Sequence, residues 1–325
     1  MIVVHLFFGN RSFALLFLPI IIGGFYSCNY FFPYHLPETE ANFGFWGRIG
    51  DQDFIGYEIS ALVLIFINAV IINTIFNRNE FMEKNNFLTA MLYVSFLSFF
   101  HSFYFLDGLS IAQTLLALML FQLIKLNQNE DARKIVFNAS LLMGLACSFY
   151  PILLIGVPFL FWMIWVVRPF VLRESVLIVT GFILPLVYAG LYSYFFQIEL
   201  DRDEFSSSSS ENHPLDLIIL GGGMMIFFFM GIKSVLNKIG ASTIRLKKLF
   251  RILFLLFTLF MSITVLEFFV FSKSDALSLC FIPLVVFLPY AFGIKNLKKA
   301  PTLLYYLIML FAVGKFFIPF SELTF

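Results

Sequence analysis

Apolar residues in this chain come in long blocks, without the every-third-or-fourth spacing that marks a helix lying on a soluble core. The largest block lies between Lys134 and Arg168, thirty-three residues without a charge. One bilayer crossing takes about 20 apolar residues, so this block predicts two short crossings folded back at Tyr150-Pro151, where proline ends a helix. The same reading places further spans at about 12–32, 55–76, 87–106, from Asp107-Gly108 to near Leu126, 175–197, from Gly221-Gly222-Gly223 onward, 249–271, 276–294 and 302–319. The expected fold is all-α: a polytopic membrane helix bundle of about eleven transmembrane helices, forming a single integral membrane domain over residues 1–325. The amphipathic opening, with Ile2, Val3, Leu6 and Phe7, is expected along the membrane surface. Gly23 to Cys28 imitates a lipoprotein cleavage site, but the bulky Tyr26 fits it poorly and the segment reads as an uncleaved span. The triple glycine lacks the strand and helix context of a phosphate loop and is expected to allow close helix approach.

Charge decides which way the spans run. Lys and Arg collect on the cytoplasmic side. With the N-terminus inside, seventeen of the 21 Lys and Arg fall in cytoplasmic segments, three (Arg48, Arg202, Lys273) fall outside, and Lys315 lies within a span. The expected topology is therefore N-in and C-out. The outer loops are then about 33–54 and 198–214, the second carrying five consecutive serines that read as a flexible linker. A basic cytoplasmic loop at about 232–248 is expected to meet anionic lipid heads.

Composition agrees with a chain dissolved in lipid: 60% hydrophobic and 13% charged residues, with mean hydropathy +0.92. A net charge of +1 gives no reason to expect a nucleic-acid partner. The three cysteines, Cys28, Cys147 and Cys280, lie far apart in or beside apolar runs and read as small core residues. No metal and no cofactor are expected, since one His among scattered carboxylates does not make a ligand set.

Ionisable groups inside spans are costly, and each asks for a partner, a wet cavity or a function. Glu58, His101, Gln113, Glu267 and Lys315 all fall roughly 4 to 9 Å inside the outer boundary at 1.5 Å per helical residue. With Asp107 they form a candidate outer polar cluster. Lys315 and Glu267 each lack a charged neighbour in their own span, so a Lys315–Glu267 pair is expected to relieve both burial penalties.

The Asn10-Arg11-Ser12 opening and the stretch from Asp131 to Glu174, DARKIVFNASLLMGLACSFYPILLIGVPFLFWMIWVVRPFVLRE, resemble an uncharacterised family of Gram-negative bacterial multi-pass inner-membrane proteins. More distantly, Gly144-Leu145-Ala146 and the Pro-started segment after it are similar to the membrane core of GT-C-type glycosyltransferases and O-antigen polymerases. Those enzymes use outward-facing acids after the first span to act on polyprenyl-linked sugars. The resemblance makes Glu38, Glu40, Asp51 and Asp53, with His101, the catalytic candidates, although no adjacent acidic pair is present. Three functions are weighed. The first is a non-catalytic subunit of an envelope assembly or export complex in the bacterial inner membrane. The second is a glycosyltransferase or polymerase acting on polyprenyl-linked sugar, and the third a transporter. Expected partners are membrane lipids and other envelope membrane proteins.

Overall fold

The computed structural model describes residues 2–9, 12–36, 40–50, 55–126, 131–198, 205–206, 213–293 and 299–317. It is a helical bundle. After α1 (Ile2–Phe8), a 3-10 turn at Ser12–Phe17 leads into α2 (Leu18–Phe31), whose Pro19 sits in the first turn, where a missing N–H does no harm. A small antiparallel ribbon, β1 (Glu40–Asn42) and β2 (Arg48–Gly50), precedes α3 (Ile55–Arg78), α4 (Leu88–Leu97) and α5 (Gly108–Leu123). The central hairpin is α6 (Arg133–Phe149), a 3-10 stretch at Pro151–Gly156, and α7 (Val157–Val167). Long helices follow: α8 (Leu172–Phe195), α9 (Pro214–Ala241) and α10 (Ile244–Phe271). Residues 275–292 form a 3-10 stretch at Asp275–Cys280 and two short pieces, α11 (Phe281–Leu284) and α12 (Pro289–Phe292), before α13 (Lys299–Gly314).

Five helical stretches among the described residues are long and apolar enough to cross a membrane: 13–31, 56–78, 172–195, 214–241 and 244–271. Two stretches expected as regular spans are interrupted. The first, α4, has ten residues, all buried, and at about 15 Å it falls well short of the ~30 Å hydrocarbon layer. Residues 98–107 then continue through turns and a short 3-10 segment. The second is 275–292, where Pro283 and Pro289 remove backbone donors. Irregular backbone survives at membrane depth only where protein covers it, and both segments are almost wholly buried inside the long helices. Side chains take up what the breaks leave over. At the end of α4 the Ser98 carbonyl accepts from the Tyr104 hydroxyl at 2.9 Å and from Lys315 Nζ at 3.5 Å.

The tightest helix pairing joins α6 to α8. A β-carbon built at Gly144 would lie 2.3 Å from the Phe182 carbonyl oxygen, and one at Gly181 would lie 2.9 Å from the Phe137 carbonyl. Small residues here bring the two backbones together, the device that replaces hydrophobic driving force between helices in lipid. The triple glycine does this in part only. Gly223 abuts Ile308 of α13, while β-carbons at Gly221 and Gly222 would meet nothing within 4 Å. The N-terminal segment also differs from expectation: Phe7 of α1 is fully buried, and its carbonyl accepts from Phe87 N at 2.8 Å, so α1 is part of the bundle.

Candidate functional site

The segment after α2 is fastened to the bundle at two places. Asn29, near the end of α2, accepts from the backbone amides of Tyr34 and His35 and donates to the His35 carbonyl at 3.0 Å, which folds the chain back after the helix. Farther on, Gly44 (φ +62°) and Gly47 (φ +85°) make the turn between β1 and β2 in a backbone region that side chains disfavour. A β-carbon at Gly44 would meet the Ser148 and Phe149 carbonyls at 2.8 Å, so the ribbon sits directly on the tip of the central hairpin. Trp46 completes the fit. Its ring stacks on Phe149 with centroids 5.7 Å apart, and its Nε1 donates to Ser148 Oγ at 3.0 Å.

A second feature is a buried ionic centre. Lys315 Nζ, just past α13, donates to Asp216 Oδ2 at 3.1 Å, to His35 Nε2 at 3.1 Å and, more weakly, to the Ser98 carbonyl at 3.5 Å. An ammonium has three donors and no acceptor, so all three are used and His35 must present a bare Nε2, its proton on Nδ1. The His35 ring stacks on Tyr104 at 4.8 Å, and the Tyr34 ring lies 4.7 Å from the ammonium. His101 lies against it, its ring centroid 6.2 Å from that of His35 and its Nε2 in hydrogen-bond contact (3.0 Å) with the Leu36 carbonyl.

The expected Lys315–Glu267 pair does not form. Glu267 is fully buried in the last turns of α10, and its carboxylate accepts from the Tyr150 hydroxyl, from Ser206 Oγ at 3.3 Å and from Ala276 N at 2.8 Å. Ser206 in turn gives its carbonyl to Asn42 Nδ2 at 2.9 Å. One carboxylate thus joins α10, the central turn, Ser206 and, through Ser206, Asn42 of β1. Asp107 caps α5, accepting from Ser110 N at 2.7 Å and Ser110 Oγ at 2.6 Å, and Gln113 Nε2 donates to Ser278 Oγ at 2.6 Å. Glu58 stands apart, half-buried and bonded by the Tyr26 hydroxyl. Among the described residues no three His, Cys, Asp or Glu side chains converge as a metal-ion site.

Glu38, Asp51 and Asp53 lie outside the described residues, and Glu40 is described only through its backbone, which pairs with Gly50. The residues that sequence reasoning missed are Asp216, His35 and Tyr150. Asp216 counts as a loop acid if the eighth span begins at Gly221, but α9 begins at Pro214. Pro at the first helical position with an acid in the first turn is a helix-start signal, and His213-Pro214-Leu215-Asp216 carries it. No protein-family model, curated protein or solved structure matches this chain. Fold and site define a helical, multi-pass membrane protein whose buried polar groups gather where its loops meet the helix ends.

Proposed function

We propose that this chain is an eleven-span protein of the bacterial inner membrane, N-terminus in the cytoplasm and C-terminus outside, acting as a non-catalytic subunit of an envelope assembly or export complex. One observation supports this reading most: the ionisable groups at the outer end are buried, Lys315 paired with Asp216, and Glu267 and His101 bonded to neighbouring hydroxyl and backbone groups. Glu267 is 0%, Lys315 1%, Asp216 1% and His101 2% exposed, and a general base must reach the proton it removes. Lys315 spends its donors on Asp216, His35 and Ser98, and Glu267 takes three donors of its own. Such contacts hold loops onto helix ends, presenting a shaped outer surface. The second reading, a polyprenyl-linked-sugar glycosyltransferase with a GT-C-like core, rests on a catalytic acid among Glu38, Glu40, Asp51 and Asp53.

Scoring Glu38→Gln, Glu40→Gln, Asp51→Asn and Asp53→Asn beside Trp46→Ala for abundance and envelope integrity separates the two. For a subunit, the four amides are tolerated and Trp46→Ala, which empties the ribbon's seat on Phe149, loses function. A single amide with a null phenotype at normal abundance establishes the enzyme instead.

A further inference from the structure

At the opposite end of the central hairpin from Tyr150 lies a cavity of about 740 Å3. Arg133 from the start of α6, Arg168 from the end of α7, and Val171, Leu172, Arg173 and Glu174 from the start of α8 line it. Three arginines around one cavity suit a phosphate, since each planar guanidinium presents paired donors to its oxygens. Two carboxylates share the lining, so three arginines less two acids leave a net charge of +1. Glu174 lies 3.1 Å from Arg168 and orients it, while Asp131 lies 3.6 Å from Arg133 in an exposed pair of little strength. Arg173 is exposed.

A second, independent feature has the same sign. The first turn of α8, a 24-residue helix, borders the cavity, and its N-cap residue, Val171, gives it no side-chain cap. Its leading amides and the positive end of its dipole favour an anion there, a preference that Glu174 in the same turn meets in part.

The surroundings say how the phosphate arrives. Val171 and Leu172 are apolar lining residues, and Leu172 is 69% exposed. Trp165 is exposed near that end of α7 and Phe170 just beyond it, the two rings in edge contact at 5.7 Å. Exposed indoles beside arginines mark the headgroup level of a bilayer. We propose that this cavity binds the phosphate of a net-anionic lipid, with Arg133, Arg168 and Arg173 on the headgroup and Val171 and Leu172 against the start of an acyl chain.

The test titrates the purified full chain in detergent with phosphatidylglycerol and with phosphatidylcholine, and reads bound lipid by native mass spectrometry. Phosphatidylglycerol is expected to be retained preferentially. Arg173→Gln should weaken it about fivefold, the effect of one basic residue at an anionic headgroup. Leu172→Glu, which brings a negative charge to the lining without touching an arginine, should weaken it at least as much. Lys233→Gln removes an exposed charge from the basic stretch of α9 and should change nothing. Equal loss in Lys233→Gln, or equal binding of the two lipids, overturns the site in favour of diffuse surface charge. Displacement of phosphatidylglycerol by millimolar inorganic phosphate overturns the lipid assignment and makes the cavity a free-anion site.

Discussion

At the scale of single residues, the Lys315–Asp216 pair sets the sharpest expectation. Removing one member of a buried ion pair leaves a charge without its counterion and costs about 3–5 kcal/mol, whereas removing both together costs much less. Lys315→Met and Asp216→Asn should each lower the melting temperature in detergent strongly, and the double variant should recover part of the loss. Strict additivity in that double-mutant cycle would mean the two groups do not interact. His35 adds a pH dependence. Burial and the adjacent Lys315 charge hold its imidazole well below the ordinary 6.5, so the folded protein refuses a proton that the unfolded chain accepts. Stability should therefore fall as pH drops below about 6.5 and be unaffected by this group above it. A melting series from about pH 8 to about pH 5 checks this: His35→Gln, which still offers Lys315 an acceptor, should decline less than the parent. Lys315 and Glu267 were legible in the sequence as groups too costly to leave alone. Their partners were not, because Asp216 is 99 positions from Lys315 and Tyr150 is 117 from Glu267, and local pattern carries no information about such meetings.

At the scale of elements, hydropathy found the apolar blocks but not the two that break. A window of apolar residues reports what a segment can dissolve in, and α4 and 275–292 are surrounded by protein, where the need for continuous helix lapses. Only Pro283 and Pro289 signalled the second break. The hairpin turn at Tyr150-Pro151 was readable because proline and a double-length apolar block coincide there. Glycines separate what composition cannot. Gly144→Ala drives a methyl group into the Phe182 carbonyl and should loosen α6 from α8, lowering thermal stability markedly. Gly222→Ala meets open space on α9 and should be neutral or stabilising by up to ~1 kcal/mol through helix propensity. Comparable melting temperatures for the two variants would contradict the α6–α8 packing described above.

At the scale of the whole molecule, the proposed orientation is tested by cysteine labelling. With the N-terminus inside, an impermeant thiol reagent applied from outside modifies Ser208→Cys and spares Ser242→Cys; the reverse pattern inverts the protein. The ionic centre also bears on how the chain is made. His35 follows α2, Asp216 lies in the first turn of α9 and Lys315 follows α13, 280 positions after His35. A ribosome emits these in that order, so both acceptors must wait without Lys315 until α13 and the residue after it are made. During that interval the nascent protein holds a carboxylate and an imidazole without the cation that joins them, and incompletely packed chains are the species prone to misfold. Chains released before Lys315 is added should therefore be cleared faster than full-length ones, and full-length Lys315→Met should share their short half-life in a pulse-chase measurement.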